Sequence, residues 1–324
     1  MSSALRVFVT GGSGFVGSHL IPALVAAGHS VWALARSEAS ARRVEALGAR
    51  RVWGELGAVH WEALDDIDVI VHAAAKAEDW GDPVLFDAIN VTGTQQLLEA
   101  ARSAGVKRFI HISTEAAVFR GRDLIDIDES VPLAPDSPFP YSASKAKAEQ
   151  AVQAANSEAL STVVLRPRLI WGPGDSTVLP VVAQAAEDGT FAWTNQGAQQ
   201  ISTTHVHNLV DAILAALHRG PGGTVAFVVD AETHTMRDFL TAYAEAAGIE
   251  LPTRSVPGWL LRTAASVLAW GWTAFDLDGR PPITPFAASL LSSHITIRST
   301  AAEEAMGWRP PIGFKEGLSR VSAA

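Results

Sequence analysis

Short apolar or β-branched runs alternate with longer segments of helical period from residue 5 to about residue 165. This alternation predicts an α/β fold with a doubly wound parallel sheet that is covered by helices on both faces. The six expected strands are LRVFVT (5–10), SVWALA (30–35), RRVW (50–53), DVIVHA (68–73), KRFIHIS (107–113) and STVVLR (161–166).

The alternation ends after Arg166, where proline and glycine become frequent and tryptophans accumulate. We interpret this change as a smaller, mostly helical C-terminal lobe that is interleaved with the last parts of the sheet. The predicted division is a sheet domain over 1–166, to which 203–229 return, and a substrate-binding lobe over 167–202 and 230–324.

The composition narrows the choice of partner. A formal charge of −9 with only five lysines argues against a nucleic-acid surface, because phosphate contacts require clustered cations. Since 48% of the 324 residues are apolar, an apolar small molecule is a better expectation. The chain has no cysteine, which excludes disulfides and thiolate chemistry. No signal peptide is visible, so a cytoplasmic location is expected.

One nearly apolar stretch, at 256–275, could contact a membrane. Arg262 interrupts it, which leaves a run shorter than the roughly 20 residues that a spanning helix requires. We expect a helix that packs on the body or lines a pocket. A helix lying in the membrane interface is the alternative, and no transmembrane span is expected.

Glycines follow the first predicted strand at a characteristic spacing. In TGGSGFVGSHL, Gly11, Gly14 and Gly17 form the pattern G-x-x-G-x-x-G between a strand and a helix. Residues without a Cβ let the backbone approach a pyrophosphate and turn into a helix whose N-terminus faces the anion. The pattern therefore predicts a Rossmann-type site for a dinucleotide.

The second predicted strand indicates which dinucleotide is bound. It ends in ALARS, without the acidic residue that usually holds the ribose 2′-hydroxyl of NAD(H). Arg36 can pair with a 2′-phosphate and stack on adenine, Ser37 can donate to the phosphate, and Arg42 or Arg43 can add charge. We expect NADP(H) to be preferred, with NAD(H) as the alternative and a solvent-exposed loop role for Arg36 as the other interpretation.

Proton transfer can be assigned to the segment PYSASK. Tyr141 and Lys145 are four positions apart in a segment of helix-forming residues, so they should lie one turn apart on one face. A phenol with an ordinary pKa of about 10 is a poor acid or base at neutral pH, and a neighbouring ammonium lowers that pKa. Tyr141 would be the general acid/base, while Lys147 should face solvent.

A hydroxyl at the end of the fifth strand should polarise the same substrate oxygen. Ser113 and Thr114 follow FIHI, and because successive residues point in opposite directions, only one can face the nicotinamide. We expect Thr114, with Ser113 as the alternative. In the purely structural interpretation, both hydroxyls only bond the backbone at the strand end.

Together these motifs resemble the extended short-chain dehydrogenases/reductases. The resemblance rests on the glycine loop, NVTGT (90–94), the strand-end ST, Tyr141-x-x-x-Lys145 and LRPRLIWGPGD (165–175). Within that superfamily AAKAEDWG (74–81), PPITPF (281–286) and RSTAAEEAMGWRPPIGFKEGL (298–318) resemble the branch of 3β-hydroxysteroid dehydrogenases and 2-alkyl-3-oxoalkanoate reductases.

The resemblance implies Thr114, Tyr141 and Lys145 as catalytic residues, with Lys145 also holding the nicotinamide ribose, and it implies a homodimer. The implied cofactor-binding residues are Gly11, Ser13, Gly14, Phe15, Gly17, Arg36, Ser37, Glu55, Leu56, Ala73, Ala74, Ala75, Lys145 and Pro167. The chain departs from the family at Glu55, where an aspartate is common near the adenine, and at Asn208, where many relatives have an aspartate.

Substrate contacts are harder to assign. The tryptophans outside the predicted strands suggest an apolar pocket, and we name Trp80 and Trp193 as contacts, although indoles also serve as packing groups. Arg168 can either bind a substrate carboxylate in bidentate fashion or form an internal ion pair. His205 and His207 lack a metal-binding spacing, so no metal is expected.

The sequence thus predicts an NADP(H)-preferring oxidoreductase that interconverts a secondary alcohol and a ketone on an apolar substrate. The alternative enzyme is an NAD-dependent sugar-nucleotide epimerase or dehydratase, for which Arg280, Arg298 and Arg309 could form a diphosphate site. A non-catalytic NADP(H) sensor is the third hypothesis, although it has no need of Thr114, Tyr141 and Lys145 together.

Overall fold

A computed structural model describes residues 4–57 and 61–322. Its strands are β1 (Arg6–Thr10), β2 (Ser30–Ala35), β3 (Arg50–Trp53), β4 (Val69–His72), β5 (Arg108–Ile112), β6 (Leu124–Ile127), β7 (Ser161–Pro167), β8 (Ile170–Trp171), β9 (Trp193–Thr194), β10 (Gln200–Ile201), β11 (Thr204–His205), β12 (Thr224–Val228), β13 (His234–Thr235), β14 (Ser255–Val256) and β15 (Ile295–Ile297).

The helices lie between and after these strands. They are α1 (Phe15–Ala26), α2 (Glu38–Ala46), α3 (Pro83–Phe86), α4 (Gly93–Ser103), α5 (Pro140–Ala154), α6 (Leu179–Glu187), α7 (Val206–His218), α8 (Met236–Ala246), α9 (Gly258–Ala274), α10 (Pro285–Ser292), α11 (Thr300–Met306) and α12 (Phe314–Ser322). A π-helical turn, Asp87–Thr92, joins α3 to α4, and a 3-10 turn, Glu115–Val118, follows β5.

Seven parallel strands form the central sheet in the order β12-β7-β5-β4-β1-β2-β3. All six predicted strands are present, with ends within one residue of the prediction. The order reverses direction between β1 and β4, and ligands of such sheets bind in the crevice at this switch point, beyond the carboxyl ends of the strands. The predicted α/β fold class is confirmed.

The sheet is covered on both faces because its strands are apolar on both sides. In β1, Val7 and Val9 pack with α1 and α7 in one core, whereas Phe8 between them packs with α4 and α5 in the other. All three side chains are completely buried. Such continuous apolar strands are expected where helices shield both faces of a parallel sheet.

The second lobe is built on a mixed sheet in the order β13-β10-β15-β6. β10 pairs with β13 antiparallel, while the pairs β10–β15 and β15–β6 are parallel. β6 and β15, which are only four and three residues long, were not predicted from the sequence. Their pairing joins segments that are more than 160 positions apart in the chain.

The stretch 256–275 forms α9, which packs on α10. Many of its apolar side chains face outward, among them Trp259, Trp270 and the adjoining Phe275. Within 4–57 and 61–322, no helix combines the length and apolar character needed to cross a bilayer.

Candidate active site

The glycine loop joins β1 to α1 at the switch point of the central sheet. Gly11 has a φ of +73°, and a Cβ there would lie 2.9 Å from the carbonyl carbon of Ala73. A Cβ on Gly17 would overlap the carbonyl oxygen of Gly12. Only glycine permits both contacts, so these residues set how closely α1 approaches the ends of β1 and β4.

The N-terminus of α1 is suited to bind an anion. Its N-cap is Gly14, which offers no side-chain hydrogen bond to the first N–H groups of the helix. Gly14 is exposed, Ser13 is half-buried beside it, and Phe15 is buried below the loop. Backbone donors at such a terminus, together with the helix dipole, favour a pyrophosphate. The loop therefore fits a dinucleotide.

Arg36 lies directly after β2, where the adenosine end of a dinucleotide would lie. It is exposed, and no hydrogen bond or ion pair to it occurs in the described parts of the chain. Ser37 caps α2, accepting from the backbone N–H of Ser40 at 3.2 Å. Arg42 and Arg43 are exposed on α2.

The remaining implied cofactor residues lie at the carboxyl ends of neighbouring strands. Ala73, Ala74 and Ala75 follow β4 and are half-buried, and the Ala74 N–H donates to Thr10 Oγ1 at 3.1 Å. Pro167 is the last residue of β7 and is buried. Glu55 and Leu56 follow β3, and Glu55 is exposed.

Tyr141 and Lys145 lie one turn apart at the start of α5. Tyr141 is partly buried, and its ring meets Phe286 of α10 edge to face, with 5.7 Å between ring centroids. Lys145 is 3% exposed, and its Nζ donates to the carbonyl oxygen of Ile112 at 2.9 Å. Lys147, two positions further, makes a surface ion pair with Asp87 instead.

Burial changes the pKa of Lys145. Desolvation of the ammonium lowers it to about 8, although the charge of Glu149 acts in the opposite direction. Burial of His72, together with the charge of the same ammonium, lowers the pKa of that imidazole to about 3. His72 is therefore neutral, and it bridges the hydroxyls of Thr10 and Thr94.

Ser113 and Thr114 bond to two different carboxylates. Ser113 Oγ donates to Glu149 at 2.6 Å, and Arg166 holds that carboxylate through Nε and Nη2. Thr114 Oγ1 donates instead to Glu115 at 2.8 Å and lies beside the Tyr141 phenol. The structure thus places Thr114, and not Ser113, next to Tyr141.

Glu115 was not identified from the sequence. It is 6% exposed, and it faces the guanidinium of Arg168, whose Nε lies 3.6 Å from its Oε1. Arg168 is 2% exposed and also donates to the carbonyl oxygen of Ser202. Of the two roles considered for Arg168, the structure contains the internal ion pair.

The pKa of Tyr141 is raised, and not lowered as the sequence analysis expected from a neighbouring ammonium. Burial and the charge of Glu115 raise its pKa above the ordinary value, while contact with the Thr114 hydroxyl acts in the opposite direction. Glu115 is itself subject to burial, which raises the pKa of its carboxyl against the lowering effect of Arg168.

The two tryptophans predicted to contact the substrate lie in different surroundings. Trp193 is 3% exposed; the guanidinium of Arg237 lies over its ring, and its indole N–H donates to the Pro252 carbonyl. It is a core residue of the second lobe, so we do not retain it as a substrate contact. Trp80 is half-buried in the loop after β4.

The loop that carries Trp80 is fastened to the second lobe near Tyr141. The neighbouring Asp79 accepts from Thr284 Oγ1 at 2.8 Å and pairs with Arg280 at 3.1 Å. Thr284 caps α10, the helix whose Phe286 meets the Tyr141 ring. Of the two tryptophans, Trp80 is therefore the better placed to contact a substrate at Tyr141.

From the sequence, Asn90 was noted only as part of the NVTGT motif, and no role was predicted for its side chain. Its side chain is 2% exposed, bonds the backbone of Lys76 in both directions and donates to Ser144 Oγ of α5 at 3.0 Å. It fixes the loop after β4 against α5. Among the described residues no group of three or more histidine, aspartate or glutamate side chains could hold a metal ion.

A glycine loop that fits a dinucleotide and a tyrosine–lysine pair lie at the carboxyl edge of one parallel sheet. This arrangement is typical of NAD(P)-dependent oxidoreductases, and this chain is one of them. It belongs to the NAD dependent epimerase/dehydratase family, whose model matches residues 7–229.

Similar proteins cover almost the whole chain. The 4-hydroxy-2-methyl-3-oxo-4-farnesyl-3,4-dihydroquinoline-1-oxide ketoreductase of Stigmatella aurantiaca is 40% identical over 99% of this chain and 96% of its own length. The 2-alkyl-3-oxoalkanoate reductase of Stenotrophomonas maltophilia is 32% identical over 99% of each. The solved structure of gox2253 superposes with a TM-score of 0.79 at 25% identity, covering 98% of this chain and 97% of the other.

These comparisons confirm the resemblance to the extended short-chain dehydrogenases/reductases and to the branch containing 2-alkyl-3-oxoalkanoate reductases. They also confirm that the protein acts as an oxidoreductase on the alcohol–ketone pair and uses a nicotinamide dinucleotide, NAD(H) or NADP(H).

Proposed function

We propose that this protein is an NADP(H)-preferring reductase of a ketone on an apolar substrate, with Tyr141 as general acid, Lys145 as its cationic neighbour and Thr114 beside the same oxygen. The observation that carries the proposal is the meeting of Thr114, Tyr141 and buried Lys145 at the carboxyl edge of the sheet, beside the glycine loop.

Each side chain has a part that follows from its position. The dinucleotide, when bound, supplies the hydride to the carbonyl carbon. Tyr141 donates its phenolic proton to the carbonyl oxygen, and in the reverse direction it accepts the proton of the alcohol. Lys145 stabilises the phenolate left after transfer, and its buried position keeps that charge effective.

Tyr141→Phe tests the chemistry directly. Loss of the proton donor should reduce ketone turnover by roughly 10²- to 10⁴-fold, while dinucleotide affinity is unchanged. The matched control is Tyr243→Phe, because this second tyrosine lies in the core of the other lobe and bonds Gly172 and Asp175. Undiminished turnover by the Tyr141 variant would contradict the mechanism, and it would leave a cofactor sensor as the better hypothesis.

The preference for NADP(H) is supported by the end of β2. Exposed Arg36 and the capping Ser37 are found there, and Glu38 is the first acidic residue after the strand. A guanidinium can bind a 2′-phosphate, whereas NAD(H) sites use a carboxylate on the ribose hydroxyl.

Titration with NADPH and NADH tests this preference. We expect tighter binding of NADPH, and Arg36→Ala should weaken NADPH binding by roughly tenfold or more without changing NADH binding. Arg309→Ala is the control, since Arg309 is exposed and paired with Glu303 on another surface. Equal affinity for both dinucleotides in the wild type would overturn the proposal.

Apolar surroundings support an apolar substrate. The Tyr141 ring meets Phe286, which packs with Phe119 and Phe139 in a buried apolar cluster, and α10, which carries Phe286, packs on the apolar helix α9. The two similar enzymes named above act, by their names, on a farnesylated dihydroquinoline oxide and on 2-alkyl-3-oxoalkanoates. We therefore propose a ketone that carries a long or bulky hydrocarbon group.

A substrate screen follows from this class. With the preferred dinucleotide, 2-alkyl-3-keto acids, 3-ketosteroids and aromatic ketones should be compared by the loss of absorbance of the reduced nicotinamide. Turnover should rise with the length of the hydrocarbon group. A preference for short, hydrophilic ketones would contradict the proposed substrate class.

Contacts of the three arginines argue against the sugar-nucleotide alternative. Arg280 pairs with Asp79, Arg298 with Asp126 and Asp128, and Arg309 with Glu303. These cations already have carboxylate partners within the chain, which argues against their forming a diphosphate site.

A further inference from the structure

A chain of side-chain hydrogen bonds joins the C-terminal helix α12 to the dinucleotide helix α1. Nη1 of Arg320, on α12, lies 2.9 Å from Nδ1 of His207 at the start of α7. Nε2 of His207 lies 3.1 Å from Nδ1 of His19 on α1. Nε2 of His19 lies 2.9 Å from the carbonyl oxygen of Pro173, in the loop after β8. Three hydrogen bonds thus connect four separate elements.

The two ends of the chain fix the direction of every bond in it. A carbonyl oxygen can only accept and a guanidinium can only donate, so Nε2 of His19 carries a proton and Nδ1 of His207 does not. A neutral imidazole has one N–H, so Nδ1 of His19 accepts and Nε2 of His207 donates. These two assignments were made from opposite ends, and they agree at the middle bond. Both rings are therefore Nε2–H tautomers.

The chain has no place for another proton. A proton on Nδ1 of His207 would face an N–H of Arg320, and one on Nδ1 of His19 would face the N–H of His207. In agreement, burial and the charges of His19 and Arg320 lower the pKa of His207 to about 4. Burial also lowers the pKa of His19, although its bond to Pro173 acts in the opposite direction. Both rings are therefore neutral near neutral pH.

His19 connects this chain to the glycine loop. It lies one turn along α1 from Phe15, and the two rings meet edge to face with 5.6 Å between their centroids. Phe15 is the first residue of α1 and follows the N-cap Gly14, at the terminus that is suited to a pyrophosphate. Because the backbone hydrogen bonds of a helix make one turn rigid, a bond that holds His19 also holds the N–H groups of this terminus.

Both ends of the chain are anchored in the second lobe. The loop that carries Pro173 is fastened there by Gly172, whose N–H donates to Oη of Tyr243 on α8 at 3.1 Å. α12, which carries Arg320, packs on the same helix α8. His207 and His19, in the middle of the chain, lie on the two helices that pack against β1. The second lobe thus holds α1 through this chain.

We propose that Arg320 and His207 are positioning residues for the dinucleotide, because with His19 they form a one-directional chain that keeps the first turn of α1 where its backbone donors bind the pyrophosphate. The inference concerns cofactor binding alone. It therefore goes beyond the ketone reduction proposed above and does not depend on it.

The tautomers can be measured in the wild-type protein without cofactor or substrate. In protein labelled with ¹⁵N-histidine, the ¹⁵N chemical shifts distinguish Nε2–H, Nδ1–H and doubly protonated rings. The chain has ten histidines, and the variants His19→Gln and His207→Gln assign the two signals of interest. We expect Nε2–H tautomers for both rings at about pH 7. An Nδ1–H tautomer or a protonated ring at either position would overturn the proposal.

Arg320→Met removes the donor that begins the chain. His207 can then carry its proton on Nδ1, so we expect mixed tautomers at His207 and His19. Affinity for the dinucleotide should fall by about tenfold, with a higher KM for the dinucleotide and a nearly unchanged kcat. Lys315→Met is the matched control, because it removes an exposed cation from the same helix, and it should change neither tautomers nor affinity.

A second variant covers the case in which Arg320→Met does not fold. His207→Phe keeps a ring at this position but removes both of its side-chain hydrogen bonds, and it should show the same loss of affinity. Thermal unfolding identifies the folded variants, and calorimetric titration with NADPH and NADH measures binding. Wild-type affinity in every folded variant of this pair would overturn the proposal.

Tyr141→Phe separates this inference from the proposed function. That variant should lose turnover and keep its affinity for the dinucleotide, whereas Arg320→Met should do the reverse. If Tyr141→Phe retains turnover, the proposed function fails and the role of Arg320 is unaffected. If Tyr141→Phe is inactive but Arg320→Met binds the dinucleotide like the wild type, only the role of the chain fails.

Discussion

Lys145 shows how one buried residue couples function to stability. Its pKa in the folded protein is about 8, against an ordinary value of 10.5, because the ammonium has lost its water. Between these values the unfolded chain binds more protons than the folded chain, so stability rises with pH over this window. The burial penalty is fully present below pH 8.

Lys145→Met should remove this dependence. The stability of the wild type relative to the variant is expected to increase by up to about 3 kcal/mol between pH 8 and pH 10.5. Urea unfolding at a series of pH values measures it, and Lys107→Met, at an exposed lysine, should run parallel to the wild type. If the stability of Lys145→Met also changed with pH in parallel with that of the wild type, the burial effect would be contradicted.

Site residues were predictable where their relation is local in sequence. The spacing of Tyr141 and Lys145, and the hydroxyl at the end of β5, are patterns within one element, and the structure brings them together. Glu115 and Arg168 are 53 positions apart, and nothing in either segment shows that β5 and β7 are neighbours. The burial of Trp193 likewise depends on Arg237 and Pro252, which are distant in the chain.

At the scale of elements, α1 is held close to β1 by glycine. Gly17→Ala should force the N-terminus of α1 away from Gly12, reducing dinucleotide affinity at least tenfold and costing roughly 1–3 kcal/mol of stability. Gly271→Ala is the matched control, because its Cβ would meet no atom within 4 Å inside α9. Gly271→Ala should increase the free energy of unfolding by about 0.5–1 kcal/mol. Calorimetry and thermal unfolding measure both, and equal effects would disprove the steric argument.

The central strands could be predicted because each is a short apolar run bounded by polar or glycine residues, and burial on both faces imposes that composition. The strands of the second sheet show no such apolar pattern in the sequence. β10 and β13 have two residues each, and their extended form depends on partners from distant parts of the chain. Such short strand pairs are fixed by tertiary packing rather than by local propensity.

At the scale of the whole molecule, α9 exposes apolar side chains that no described element covers. Trp259, Trp270 and Phe275 are each about 70% exposed. If this surface meets a membrane interface, as the sequence suggested, the protein should co-sediment with neutral phosphatidylcholine vesicles. Replacing Trp259 and Trp270 by Ser should abolish binding, whereas Trp53→Ser, at an exposed indole on β3, should not. Failure of the wild type to co-sediment would refute membrane contact.

The core behind β1 also contains residues from far along the chain. Met306 and Trp308 pack there with Val7, the Trp308 indole donates to Asp211 of α7, and Asn208 exchanges two hydrogen bonds with the backbone of Ile312. β1, which is synthesised early, is thus packed against a segment around Trp308 that is synthesised much later. A nascent chain that already carries the whole glycine loop, α1 and α7 would still have part of one face of its sheet uncovered, and it should require protection on the ribosome until Trp308 has emerged.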